Sequence, residues 1–313
     1  MIANLIGQER AIQLLTRAVA LNRIAPAYLF YGCSGIGRSI AALGFARMLL
    51  CAGLPSDKHS LVEQKLRSRN HSDLRLVEPT YSHKGELLTA KQAREKGLTF
   101  KTLPKIRIEQ IRDLTEFLYR HPLEADRQVV VIEEAQTMAE APANALLKTL
   151  EEPVNATIIL IAPDIDSLLS TIVSRCQRIQ FYRLSPADLE RVLQDRGYSQ
   201  IVEHPELMAI AQGSPGKAIA AWDKLQSIPQ DLLQQLRTKP QNPLDVFRLA
   251  KAINSELDTS TQLWLVDYLQ HHYWYNGQHL GLMKQWEQTR QQLLGYVQPR
   301  LVWECTLLKL MHG

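Results

Sequence analysis

Ala27-Tyr28-Leu29-Phe30-Tyr31-Gly32-Cys33-Ser34-Gly35-Ile36-Gly37-Arg38-Ser39 is the stretch on which the fold turns. Five residues of a strand-length apolar run stop at a glycine-rich loop, and residues 40–50 continue with a helix-like apolar composition. Strand, glycine-rich loop and helix in that order form one unit of a parallel α/β sheet. The loop fits G-x4-G-K-[ST], except that Arg38 stands where lysine is expected. Glycines let backbone N–H groups converge on an anion at a helix N-terminus, so Gly32, Gly35 and Gly37 predict a phosphate cradle. Ser39 would hold Mg²⁺ through its hydroxyl. The usual lysine reaches the β and γ phosphates, and a longer, planar guanidinium does not replace a compact ammonium there. The expectation is a site that keeps phosphate affinity and loses efficient hydrolysis.

Outward from that loop, Ala11, Leu14, Leu15, Ala18 and Val19 carry the spacing of an amphipathic helix before the first strand. Downstream, Ile108, Ile111, Leu114 and Leu118 predict another helix. Val129-Val130-Val131-Ile132 reads as a buried strand ending in Glu133-Glu134, and Ile158-Ile159-Leu160-Ile161 as a second. Continuous apolar runs suit a parallel sheet covered on both faces. Between the two strands lies a helical pattern from Ala143 to Leu150, closed by Pro153. Acids at the end of an apolar strand suit metal support (Glu133) and water activation (Glu134) in a nucleotide site; alternatively, they are two solvated acids at a strand end.

Residues 53–105 change character: they are polar, with no sustained apolar period. From Asp57 to Arg107 there are 12 Lys/Arg against 6 Asp/Glu, about +6, which exceeds the whole-chain charge of +4. The stretch reads as a solvated basic insertion or as a DNA-facing surface, since basic segments attract phosphate through counterion release. Past Arg183 no further strand is expected. Ser185-Pro186-Ala187-Asp188 looks like a helix start, with a Ser cap, Pro in the first turn and an acid at the positive dipole end. A helical module to about residue 228 follows, then helices to the C-terminus. There a stripe of Leu301, Cys305 and Leu308 begins just after Pro299.

The chain has 313 residues, 45% hydrophobic and 22% charged, which are globular values and exclude wholesale disorder. A net charge of +4 is too small for a polybasic binder. Cys33, Cys51, Cys176 and Cys305 lie far apart and read as reduced thiols. No signal peptide and no transmembrane helix are expected, so a cytoplasmic protein is.

The order of phosphate loop, acid-ended strand, LLKTLEEP (Leu146 to Pro153), apolar strand and Ser174-Arg175-Cys176 resembles bacterial clamp loaders of the AAA+ class. Gly7-Gln8 in an IGQ segment and the C-terminal VQPRLVWECTLLKL match the same group. The resemblance implies an AAA+ phosphate-loop core of parallel sheet (1–183, with the basic insertion at 53–105), a small helical lid (184–228) and an all-helical oligomerisation collar (229–313). Within the group, four positions favour the delta-prime type over the tau/gamma motor type: Arg38, Glu133, Pro163 in place of a sensor residue, and Gly216 in place of a sensor arginine. The delta-prime type implies a subunit that does not hydrolyse ATP and keeps an arginine finger. Arg175 would then act in trans on a neighbouring subunit's γ-phosphate, with Ser174 and Cys176 positioning it. The implied partners are tau/gamma motor subunits, a delta subunit, the sliding clamp and, through the complex, primed DNA. No membrane is implied. No cofactor is required, although the degenerate site leaves room for ATP or ADP with Mg²⁺. Zinc is not expected. Cys51 matches the first ligand of the family's zinc module, but no further Cys follows before Cys176, and His59, His71 and His83 are too widely spaced. Two rival readings remain open: an active ATPase of the motor or helicase-loader kind, and a phosphate-loop enzyme such as a small-molecule kinase.

Overall fold

The continuous apolar runs form the middle of the sheet. In this computed structural model, residues 5–98, 100, 102–151, 155–277, 280–295 and 297–312 are described. They divide into two compact units, Met1–Ser185 and Pro186–Gly313.

The first unit opens with α1 (Glu9–Ala20), β1 (Ala27–Tyr31), α2 (Arg38–Cys51) and α3 (His59–Arg67). It continues with β2 (Leu74–Val77), β3 (Thr80–His83), β4 (Glu86–Thr89), α4 (Ala90–Glu95) and α5 (Ile108–Leu118). It closes with β5 (Gln128–Ile132), α6 (Glu140–Glu151), β6 (Ala156–Ala162), α7 (Ser170–Val173) and β7 (Gln177–Gln180). Five strands form one parallel sheet in the order β2-β5-β6-β1-β7, and β3 with β4 forms a separate antiparallel hairpin. Every residue of β5 and β6 is buried. Leu29 and Phe30 of β1 are fully buried on opposite faces of the sheet, Phe30 beside Phe45 of α2, each such side chain contributing about 1.5–3 kcal/mol by leaving water.

Two strands of the parallel sheet escaped the sequence reading, and they are its two edges; the β3–β4 hairpin escaped it as well. β2 lies inside the stretch 53–105, so that stretch is only partly an insertion: its Leu74–Val77 segment pairs in parallel with Val129–Ile132. The remainder supplies α3, the β3–β4 hairpin and α4. β7 follows Ser174-Arg175-Cys176 directly and pairs with β1, Gln177 opposite Tyr28. The Glu152-Pro153 end of LLKTLEEP lies outside the described residues.

The second unit contains α8 (Pro186–Asp195), α9 (Pro205–Ala211), α10 (Pro215–Ser227), α11 (Gln230–Leu236), α12 (Pro243–Glu256), α13 (Thr259–Gly277), α14 (Leu280–Leu294) and α15 (Pro299–His312). Helices on both sides of residue 229 belong to it: α9 packs on α13, and His272 of α13 faces both Glu206 of α9 (2.9 Å) and the Arg237 carbonyl after α11 (3.1 Å). In α15 the buried face is Val302, Trp303, Thr306, Leu307 and Leu310. The expected stripe is therefore the outer face: Leu301 is 51% exposed and Cys305 is exposed. Among the described residues no helix is long and apolar enough to cross a membrane.

Candidate functional site

The glycine loop leaves β1 at the C-terminal edge of the sheet. Gly32 has φ +143°, and a Cβ there would lie 2.4 Å from the Phe181 carbonyl oxygen. Glycine is required at this position by backbone approach alone, before any ligand is considered. Gly35 (φ +79°) and Gly37 (φ +104°) are also in left-handed conformations, and a Cβ on Gly37 would meet Leu5 at 2.6 Å. The Gly32 N–H donates to the Pro163 carbonyl (3.1 Å) just beyond β6, so the proline expected in the sensor position contributes its backbone instead.

Arg38, Ser39 and Glu133 come together at this edge. The Ser39 hydroxyl donates to Glu133 Oε2 at 2.9 Å. Arg38 Nη1 donates to the Ala162 carbonyl at the end of β6. Burial raises the Glu133 carboxyl above the ordinary carboxylate value, with the Ser39 hydrogen bond opposing it. Burial likewise lowers the Arg38 guanidinium, and the Glu133 charge opposes that shift. Glu134 is exposed, in the left-handed region at φ +48°. The cradle fits a phosphate in its glycines. However, the hydroxyl that would meet Mg²⁺ and the cation that would meet a terminal phosphate are both engaged with the protein itself.

Gln8 is a residue whose role the sequence left unread. It is only 2% exposed. Its Nε2 donates to the Tyr182 carbonyl (2.7 Å), and its Oε1 accepts the Tyr182 N–H (3.0 Å). A longer contact reaches the Ile36 carbonyl inside the glycine loop (3.5 Å). The IGQ segment thus fastens the segment before α1 to the chain beyond β7 and to the phosphate loop. Its match to the family was visible in the sequence, but its partner 174 positions away was not.

Arg175 lies at the other end of the strands. It sits two residues before β7, and β7 begins opposite Tyr28, near the start of β1. The glycine loop begins where β1 ends, so roughly 10–15 Å of strand separates the two levels. Arg175 Nη2 meets Glu151 Oε1 at 2.5 Å and Nη1 donates to the Thr171 carbonyl at 3.0 Å. The side chain nevertheless remains 37% exposed. Glu151 is the last residue of α6, so the two most specific motifs of the sequence meet in this ion pair. Ser174 Oγ donates to the Thr171 carbonyl (3.0 Å), finishing α7. Cys176 packs against the core, and burial pushes its thiol up to about 12. An open cleft of about 590 Å³ lies alongside, lined by Ile165, Leu168, Val173, Ser174, Cys176 and Arg178 among others.

Gly216 lies in the first turn of α10, whose N-cap Ser214 accepts from the Lys217 N–H. Cys51 and the three histidines His59, His71 and His83 each have other surroundings. Burial raises the Cys51 thiol. The His71 ring is buried and its Nδ1 accepts from the Asp73 N–H. His59 Nε2 faces the Leu54 carbonyl, and His83 packs edge-on against Phe100. Among the described residues no group of three or more His, Cys, Asp or Glu side chains is arranged to hold a metal ion.

Comparison with known proteins places this architecture. Residues 7–185, more than half of the chain, match the family described as DNA polymerase III, delta subunit. Residues 187–310 match the C-terminal domain of cyanobacterial DNA polymerase III delta prime. The chain belongs to the DNA polymerase III delta-prime family. The delta-prime subunit of Bacillus subtilis (strain 168) is 33% identical over 186 residues, covering 58% of this chain and 50% of the relative. That of Pseudomonas aeruginosa is 34% identical over 199 residues, covering 61% and 54%. The chain thus spans about half the length of these delta-prime relatives. A gamma subunit-related protein of Thermotoga maritima shares the fold, with a TM-score of 0.51 at 16% identity over 95% of this chain and 98% of that one.

Proposed function

We propose that this delta-prime family chain serves in a DNA polymerase III clamp loader as a subunit that does not hydrolyse ATP itself and presents Arg175 to a neighbouring motor subunit. One observation carries the reading: the arginine of Ser174-Arg175-Cys176 stands at the opposite end of the strands from its own phosphate loop, out of reach of any nucleotide there and partly open to solvent. A guanidinium in that position is placed to meet a second chain. The Glu151 contact holds the planar fork in place at the surface, and the fork would transfer to a γ-phosphate when a neighbour brings one. Neutralising the charge that develops on a transferring phosphoryl group is worth about 10³–10⁵-fold in related reactions.

Arg38 in place of a compact ammonium, turned onto the Ala162 carbonyl, supports loss of hydrolysis in this chain's own site. The glycine loop would still hold ATP or ADP by its backbone, with Ser39 and Glu133 flanking Mg²⁺. A bound nucleotide would supply only phosphate charge to that cradle, and the missing compact ammonium is what turnover needs. The proposed partners are tau/gamma motor subunits, a delta subunit, the sliding clamp and, through the complex, primed DNA, in the cytoplasm. In this reading residues 184–228 act as a lid and 229–313 as a collar, with the outward Leu301 and Cys305 face of α15 available to a neighbour.

The test is clamp- and DNA-stimulated ATPase of the reconstituted complex. Arg175→Ala should leave folding and assembly intact, since a solvent-exposed ion pair is worth about 0–1 kcal/mol. Hydrolysis at the neighbouring site should fall by about 10³-fold. Arg175→Lys should recover only part of it. The isolated chain should show background turnover with or without the substitution. Equal rates in wild-type and Arg175→Ala complexes of equal composition would return the triplet to a structural role, and robust turnover by the isolated chain would favour the active-ATPase reading.

A further inference from the structure

The charge of this protein is concentrated in one small module. Between Thr80 and Arg107 there are 7 Lys/Arg and 2 Asp/Glu, a net +5, whereas the other 285 residues carry 29 Lys/Arg against 30 Asp/Glu. Both acids of the module are already neutralised within it: Glu86 by Lys96 at 2.9 Å and Glu95 by Lys91 at 3.8 Å. Lys84, Arg94 and Lys105 are exposed, and among the described residues none of them is ion-paired to a carboxylate.

The module is also built to hold its shape. β3 and β4 pair from Thr80↔Thr89 to His83↔Glu86 around a two-residue turn, Lys84-Gly85, with φ +49° and +84°. That is the left-handed pair a tight hairpin requires, and it sets Lys84 at the tip. Thr89 and Gln92 cap α4 reciprocally. The Tyr81 and Phe100 rings stack at 4.3 Å and 7°, on the hairpin face that also carries the buried Leu88. The chain returns to the core through paired Thr80 and Lys105 backbones, at 2.9 and 3.1 Å. A cationic element already held by such contacts loses less conformational freedom on meeting a polyanion.

We infer that the Thr80–Arg107 module is a contact surface for the phosphodiester backbone of DNA, with Lys84, Arg94 and Lys105 as the neutralising cations. The inference rests on the charge and architecture of the module and not on the role of Arg175. Membership in a DNA polymerase III family selects DNA among polyanions. Backbone contacts of this kind carry no sequence information, and they release counterions.

The experiment is fluorescence anisotropy of the full chain with labelled oligonucleotides, one duplex and one single-stranded, titrated between 50 and 200 mM salt. Wild type should bind with a log K against log salt slope set by its phosphate contacts. The triple variant Lys84→Ala, Arg94→Ala, Lys105→Ala should bind about tenfold or more weakly at the low end. Its slope should be shallower by about 2–3, at roughly 0.9 per lost contact on duplex and 0.7 on single strand. Whichever oligonucleotide shows the larger change is the source of the phosphates. The single variant Lys84→Ala should lower the slope by about 1. A charge-matched control, Arg191→Ala, Arg196→Ala, Lys251→Ala, should bind as wild type. No binding by wild type at 50 mM salt, an unchanged slope in the triple variant, or an equal loss in the control would overturn the inference. Competition by an acidic peptide with no measurable DNA affinity would reassign the surface to a protein partner.

Discussion

Gln8 shows what one buried amide does. Both of its polar atoms are matched to the backbone of Tyr182, so truncating it leaves a donor and an acceptor with lost partners in a nearly closed environment. Gln8→Ala should cost about 2–3 kcal/mol in urea unfolding, whereas Gln8→Glu should cost more by placing an acceptor against the Tyr182 carbonyl. His71 makes a pH prediction. Burial lowers its basicity, with Glu124 and Asp73 opposing and Lys65 assisting. Its Nε2 is buried, without a hydrogen-bond partner among the described residues. A histidine depressed in the folded state binds its proton more readily when unfolded. Its contribution is therefore complete above the unfolded value near 6.5 and is lost as pH falls below it. Between pH 7.5 and 5.5, wild type should lose up to about 1.4 kcal/mol more stability than His71→Gln, by urea midpoints at each pH. Arg175, Gly32 and Ser39 could be singled out as candidates from the sequence alone. Gln8 was visible as a match without a function, because its hydrogen bonds depend on where residue 182 arrives.

At the level of elements, the sheet was legible in its middle and illegible at its margins. β5 and β6 are covered on both faces and so read as unbroken apolar runs. β2 and β7 are the edge strands, exposed enough to carry Arg75 and the polar Gln177-Arg178 pair, and their composition matches the loops around them. What secures β2 is Asp73, only 1% exposed, whose carboxylate accepts the backbone N–H groups of Leu123, Glu124 and Ala125 at 2.7–2.8 Å. That one side chain orders the connection between α5 and β5. Asp73→Ala should leave three partly buried backbone donors without their acceptor and cost about 2–3 kcal/mol, with Asp73→Asn intermediate. Hydrogen exchange should show the 121–127 amides losing protection ahead of those of β5.

For the whole molecule, the division of contacts fixes what should fold alone. The units Met1–Ser185 and Pro186–Gly313 each close their own core. Fragments 1–185 and 186–313 should each melt cooperatively by circular dichroism. A fragment 186–228 should not, because α9 would lose α13 and the Glu206–His272 contact. Non-cooperative melting of 186–313, or a cooperative 186–228, would contradict this division.

The sequence by itself determined the phosphate-loop unit, the three central strands, the change to helices after residue 183, and the family-specific motifs. All of these are local: a period, a glycine spacing or an apolar run carries its own meaning over a dozen residues. The tertiary structure alone decided which groups face one another. It brought Ser39 to Glu133 across 94 positions and Arg175 to Glu151 across 24. It turned Leu301 outward while Trp303 went in. It also set the arginine and the glycine loop at opposite ends of one sheet. Those outcomes come from strand order and parallel register, which long-range packing selects among alternatives that local pattern leaves nearly equal in energy.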